Sequence, residues 1–121
     1  MGRSDAHEHK HFGDILAICD VDKEHADKVN AEDAVASGKA DVFGDYRKVL
    51  ERSDSDVVSV VTPDHWHVKI AIEALQAGKH VFCQKPLTLT LEENQLIRNA
   101  CRKYADRVFF VGTQQRSDNE R

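Results

Sequence analysis

The stretch Val57 to Pro86, VVSVVTPDHWHVKIAIEALQAGKHVFCQKP, leaves this chain few folds to choose from. An apolar β-branched run ends at a Thr-Pro turn. An amphipathic segment, with its stripe at Val68, Ala71 or Ile72, and Leu75, then closes at Gly78. A second short apolar run ends at Lys85-Pro86. This is the pattern of one βαβ unit, whose two strands must run parallel. Open parallel sheets bind their ligands at the carboxyl ends of the strands. Thr62-Pro63-Asp64 and Gln84-Lys85-Pro86 are therefore expected side by side on the ligand-facing edge.

The remaining residues extend that sheet. Ser4 to Phe12 reads as the end of a helix, and Gly13-Asp14 turns into a strand over Ile15 to Cys19. Asp22 is placed to cap a helix from Lys23 to about Ala36, with Gly38 where a C-cap belongs. Ala40 to Phe43 is a short strand, after which Asp45 caps a helix with Tyr46, Val49 and Leu50 at i, i+3, i+4 spacing. Thr90-Leu91-Glu92-Glu93 is a capping box, in which the Thr hydroxyl takes the third amide and Glu93 answers the cap's own amide. It opens a helix with Ile97, Ala100, Cys101 and Tyr104 inward, and Val108 to Val111 is a last strand. Strands alternate with helices throughout, so the class is α/β with a parallel sheet.

Composition narrows the partners. At 121 residues the chain is one domain at most. A net charge of -4 gives no electrostatic reason to expect nucleic acid or a membrane surface. The longest apolar run, Val57 to Val61, is far too short to cross a bilayer. Three cysteines without paired spacing argue against a disulfide framework and for a reducing compartment. The opening MGRSDAHEHKHFGD has no apolar run of signal-peptide type. A cytoplasmic protein is expected, with periplasmic export of a longer parent left open.

AICDVD, VVTPDHWH, GKHVFCQKPLT and VGTQQRS, in this order and spacing, resemble the successive strand ends of one known domain. It is the N-terminal domain of the glucose-fructose oxidoreductase, inositol dehydrogenase and MocA (Gfo/Idh/MocA) family, and the resemblance runs from about Gly13 to Ser117. It implies a Rossmann-like, doubly wound parallel sheet that binds NAD in preference to NADP. It also implies oxidation or reduction at the CH–OH group of a sugar, inositol or related polyol, by a full-length parent that is a homo-oligomer. The family's first strand and G-x-G-x-x-G turn have no counterpart here, with Gly2 and Arg3 at most their tail, and neither has the second, substrate-binding domain. Residues 1–121 are thus expected to be a partial NAD(P)-binding Rossmann domain without turnover of its own. In the strand order 3-2-1-4-5-6 the absent strand would leave two edges open. Marginal stability, direct pairing of those edges, or completion by another copy would follow.

The resemblance assigns roles that compete with plainer readings. Asp20 ends a strand where a carboxylate accepts the adenosine ribose hydroxyls and repels a 2′-phosphate; its plainer reading is a turn residue or cap. Lys85 corresponds to the lysine that assists proton transfer at the substrate hydroxyl beside the nicotinamide ribose, against the default of a surface lysine. Gln84 stands where the family more often has Glu, which removes a carboxylate that would tune that lysine. Thr62, Pro63, Asp64 and Pro86 are expected to bring backbone close to the dinucleotide. His67 matches a family histidine near this turn and is expected among the cofactor-binding residues, against a helix-start residue with a local hydrogen bond. His65 with His67, and His7 with His11, lack the further convergent ligands of a metal site. Trp66 reads as a half-buried packing aromatic, and Cys19, Cys83 and Cys101 as small hydrophobes. Gln114, Gln115 and Arg116 leave the last strand as substrate contacts or as plain loop. Three functions compete: the oxidoreductase or the NAD-dependent glycosidase of the same superfamily, a non-catalytic dinucleotide sensor, and a flavodoxin-like domain of another lineage. GKHVFCQKPLT has no explanation in the last.

Overall fold

The computed structural model describes residues 2–116, so Ser117 of the VGTQQRS motif lies outside the described residues. It is an α/β structure with parallel sheets. The chain divides into two compact units, Met1–Ser55 and Asp56–Arg121.

In the first unit, α1 (Gly2–His9) leads through a turn to β1 (Ala17–Cys19), α2 (Lys23–Ala31), β2 (Asp41–Phe43) and α3 (Tyr46–Leu50). Gly2 and Arg3 lie in the first turn of α1. β1 and β2 pair in parallel, Ala17 opposite Asp41 and Cys19 opposite Phe43. The two helix caps act as the sequence suggests: the Asp22 side chain accepts from the His25 amide and Asp45 from the Arg47 amide. Both Asp side chains meet an amide otherwise left without a partner.

The helix expected to reach Ala36 ends at Ala31 instead. Glu32 turns extended at ψ 127°, and its carbonyl gathers the amides of Val35, Ala36 and Ser37. Two non-local gains explain the early stop. Val35 and Ala36 drop into a buried cluster with Val29 and Ala40, against which Ala6, Ile15 and Ile18 pack. Buried Asn30 donates its amide to the Ala40 carbonyl at 2.9 Å and accepts the Ala40 N–H at 3.1 Å, a side chain standing in for a strand partner. Gly38 adopts a positive φ of 76°, but it closes this turn rather than a helix.

The second unit runs β3 (Val57–Val60), a 3-10 turn over Asp64–Trp66, α4 (His67–Gln76), β4 (His80–Gln84), α5 (Leu91–Lys103) and β5 (Phe109–Gly112). Its sheet has the order β3-β4-β5, all parallel, with Val60 opposite Cys83 and Cys83 opposite Val111. Among the described residues no ladder joins this sheet to β1–β2. Val60, Val81 and Cys83 are buried while Ser59 and Phe110 are exposed, the period-two alternation of a sheet covered on one face. α4 buries Val68, Ile70, Ala71, Ala74 and Leu75, more than one stripe. It stops at Gly78, whose φ of 79° allows the Gly78 amide to reach the Leu75 carbonyl and the Lys79 amide the Ala74 carbonyl. That pair of bonds is a Schellman closure.

Thr90 caps α5 by accepting the Glu93 amide at 3.1 Å. The reciprocal half of the box differs from expectation, since Glu93 takes the Leu89 amide, at 2.7 Å, and not the cap's own. Of the expected inner face, Ile97 and Ala100 are buried, whereas Cys101 and Tyr104 are half-buried. Cys19 is exposed at the end of β1, so the small-hydrophobe reading holds for buried Cys83 and fails for Cys19. No helix among the described residues is long and apolar enough to cross a membrane.

Candidate functional site

Three parallel strands of the second unit end together, and each end is built from small, turn-forming or amide-rich residues. β3 gives way to Thr62-Pro63-Asp64, β4 to Lys85-Pro86, and β5 to Thr113-Gln114. The Thr62 hydroxyl donates to the Pro63 carbonyl at 3.3 Å, and the Pro63 carbonyl takes the Trp66 amide, which winds the 3-10 turn carrying Asp64. Pro63, Asp64, Lys85 and Pro86 are exposed, and the Lys85–Pro86 bond is cis. The expectation that the two strand ends lie side by side is met through one side chain. His67, buried at the start of α4, has Nδ1 2.7 Å from the Pro86 carbonyl oxygen and Nε2 2.9 Å from the Thr62 carbonyl oxygen.

Lys85 projects from this edge, and its ammonium has no hydrogen-bond or ion-pair partner among the described residues. Its backbone is held from behind: Gln84, 3% exposed, turns its Oε1 to accept the Lys85 N–H at 2.9 Å. Gln84 is thus more than a missing carboxylate, and its place in the sequence does not announce this role. An amide oxygen accepts from N–H as a carboxylate oxygen does, without the charge that would be costly at this depth. Gly112 is opposite Gln84 across the β4–β5 ladder. A Cβ there would lie 2.8 Å from Cζ of Phe82 and 3.1 Å from Gln84 Oε1, so only glycine leaves that amide its place. Burial pushes the Cys83 thiol up to about 11, and a protonated, fully buried thiol is no nucleophile at neutral pH.

Asp20 belongs to the first unit, just beyond β1. Its Oδ1 accepts the Asp22 amide at 2.9 Å and its Oδ2 lies 2.8 Å from His25 Nδ1. Partial desolvation pushes the Asp20 carboxyl up, but the Asp22 amide and His25 outweigh it and hold the group below its ordinary value. A carboxylate has about four lone-pair sites; the Asp22 and Val21 amides and His25 take three, so about one remains for a further donor. The signal for His25 was legible only in part, since a residue five places beyond Asp20 is reached by the helix that Asp22 caps.

The same unit holds two more depressed carboxyls. His7, and then Arg3, lowers Glu32, with Nε2 of His7 2.5 Å from Oε2; the side chain of Arg47, and then its amide, lowers Asp45. A carboxyl depressed by folding adds stability above its unfolded value and loses it as pH falls through the folded one. The contribution of these three carboxyls to the stability of residues 2–55 is therefore expected to be full above about pH 4, the unfolded carboxylate range, and to fall progressively below it. An acid titration followed on the β1 and α2 amide resonances checks this. Stability rising on acidification would contradict it.

Residues 3–113 match the sequence profile of a family described as oxidoreductases with an NAD-binding Rossmann fold. A levoglucosan dehydrogenase of Pseudarthrobacter phenanthrenivorans is 38% identical over 85 residues, covering 70% of this chain and 22% of that protein. A glycosyl hydrolase family 109 protein of Shewanella sp. strain W3-18-1 is 39% identical over 85 residues, 66% of this chain and 18% of that one. The solved structure of scyllo-inositol dehydrogenase from Lactobacillus casei, with bound NAD(H) and scyllo-inositol, matches with a TM-score of 0.83 at 26% identity. That match covers 97% of this chain and 33% of the other. The chain thus spans 18–33% of the length of these proteins.

Proposed function

The chain belongs to the Gfo/Idh/MocA oxidoreductase family with its NAD-binding Rossmann fold, and from that premise we propose that it is the cofactor-binding part of an NAD-dependent oxidoreductase. The parent acts on the CH–OH group of a sugar, inositol or related polyol, a reading supported by its likeness to a levoglucosan dehydrogenase and a scyllo-inositol dehydrogenase. The observation that carries the reading is the shared edge at which Thr62-Pro63-Asp64 and Lys85-Pro86 are tied together through His67.

Asp20 suits an adenosine ribose: a carboxylate at a strand's carboxyl end, one-third exposed, with a lone pair to spare. Its charge disfavours a 2′-phosphate, which favours NAD over NADP. Thr62, Pro63, Asp64 and Pro86 offer backbone to the dinucleotide. When bound, the nicotinamide supplies the hydride acceptor or donor. The Lys85 ammonium, without a hydrogen-bond or ion-pair partner among the described residues, holds or takes the proton of the substrate hydroxyl. A second reading is favoured by the family 109 glycosyl hydrolase relative, namely NAD-dependent glycoside cleavage, in which the same lysine would handle the same hydroxyl.

The test is a thermal melt of the 121-residue chain with saturating NAD or NADP. A ligand at about 100 times its Kd adds about 2.7 kcal/mol to stability, so NAD is expected to raise the midpoint clearly and NADP less. Asp20→Asn should weaken NAD by about 10- to 100-fold, the worth of roughly 1.5–3 kcal/mol for hydrogen bonds to a charged group, and narrow the preference. His25→Ala separates loss of the internal pair from loss of the carboxylate. A melt indifferent to both nucleotides would overturn the assignment of a ribose site to Asp20.

A further inference from the structure

His67 reads from sequence as a residue that faces the cofactor, but its surroundings leave it little to offer one. The side chain is 1% exposed. Both ring nitrogens are within hydrogen-bond distance of backbone carbonyls, Nδ1 at 2.7 Å from Pro86 and Nε2 at 2.9 Å from Thr62. A neutral imidazole has one N–H to donate and a protonated one has two. Carbonyl oxygens only accept, so the neutral ring hydrogen-bonds one of the two and the protonated ring both; in either state the ring nitrogens face main chain, and neither is directed outward.

The two carbonyls are not arbitrary. Thr62 follows β3 and opens the turn that carries Asp64, and Pro86 is the residue after Lys85. The partners are separated from the ring by 5 and 19 residues, so the contact closes the ends of two different strands onto one side chain. On the other side of Lys85 its N–H is fixed to the Gln84 side chain. We infer that His67 is a positioning residue: through its two carbonyl contacts it holds the Lys85–Pro86 loop against the Thr62 turn and itself touches neither dinucleotide nor substrate. Lys85 is thereby gripped before and after, while its ammonium stays exposed. The consequence for catalysis rests on the oxidoreductase reading given above; the mechanical link does not.

The experiment compares backbone amide exchange in the full 121-residue chain and its variants. His67→Phe keeps a ring in the buried space but removes both nitrogens, His67→Gln keeps one donor and one acceptor, and Val68→Ala is a plain loss of packing at the neighbouring buried position. In His67→Phe the Lys85 amide is expected to exchange about tenfold faster relative to Val81 and Cys83 in the preceding strand, with part of the protection regained in His67→Gln. Uniform acceleration of the kind Val68→Ala produces, or no change, overturns the proposal. Should His67→Phe fail to fold, the ring of the unmodified protein decides: a His67 N–H that exchanges slowly and couples to the Pro86 or Thr62 carbonyl supports the link, and one exchanging at the solvent rate refutes it. Added NAD should move the Lys85 resonances and leave the His67 ring bonds intact; loss of a carbonyl contact in favour of the nucleotide refutes the role. If NAD moves neither, the cofactor reading fails by itself, and the exchange comparison still judges the link.

Discussion

Leu75→Ala is expected to remove about 2–5 kcal/mol of stability from the second unit, a large share of the roughly 5–15 kcal/mol available to a whole domain. Leu75 is 1% exposed on α4, and the buried neighbours on its own helix face, Ala71 and Ala74, are both 0% exposed. Neither alanine has a side chain that can swing into the space a truncated leucine would leave, so the cavity stays open and the loss falls toward the upper end of that range. The slightly better helix propensity of alanine, well under 1 kcal/mol, does not offset it. Chemical denaturation followed by the β4 and β5 amide signals reads the effect. Leu91→Ala, at a position 88% exposed on α5, is the control and should stay within about 0.5 kcal/mol of the unmodified chain.

Gly112→Val should be nearly as damaging, by the opposite route. The position needs glycine for space, since its φ lies outside the left-handed range and the obstacle is what surrounds it. A Cβ would meet Phe82 Cζ at 2.8 Å and the side-chain amides of Gln84 and Gln114 at 3.1 Å. The Phe82 ring cannot retreat freely because it stacks on Phe110, with centroids 5.8 Å apart and planes 20° from parallel. Overpacking of this sort costs about 1–3 kcal/mol, and a branched side chain belongs at the high end. The midpoint of a domain this small should fall by about 4–8 °C per kcal/mol. Displacing Gln84 also removes the acceptor of the Lys85 N–H, so the Lys85 amide should shift together with the melt. A variant with an unchanged melting point and an unmoved Lys85 signal would show that the site tolerates a side chain.

What the sequence disclosed was what neighbours in the chain decide. Gly78 announced the end of α4 because only its own helix's carbonyls are involved. Thr90 announced the start of α5, and Pro63 and Pro86 marked strand ends, for the same local reason. The length of α2 was illegible because its outcome turns on Asn30 reaching Ala40 and on Val35 finding the core, neither of which is a property of the helix segment itself. The site divides the same way. Lys85 and the Thr62–Asp64 turn could be placed by position along the strands. That Gln84 serves the Lys85 backbone, and that His67 reaches Pro86 across 19 residues, depends on how β3, α4 and β4 are stacked.

The order β3-β4-β5 also sets a sequence of events for folding. Each strand pairs with the next one in the chain, Val57 with His80 and Val81 with Phe109, and a helix bridges each interval. The entropic cost of closing such loops grows only with the logarithm of their length. As synthesis proceeds, β4 can zip onto β3 as soon as α4 has formed, and β5 then adds to an edge already in place. The contact of His67 with Pro86 belongs to the first of these steps. Every residue of the His67–Pro86 contact thus precedes α5 and β5 in the chain.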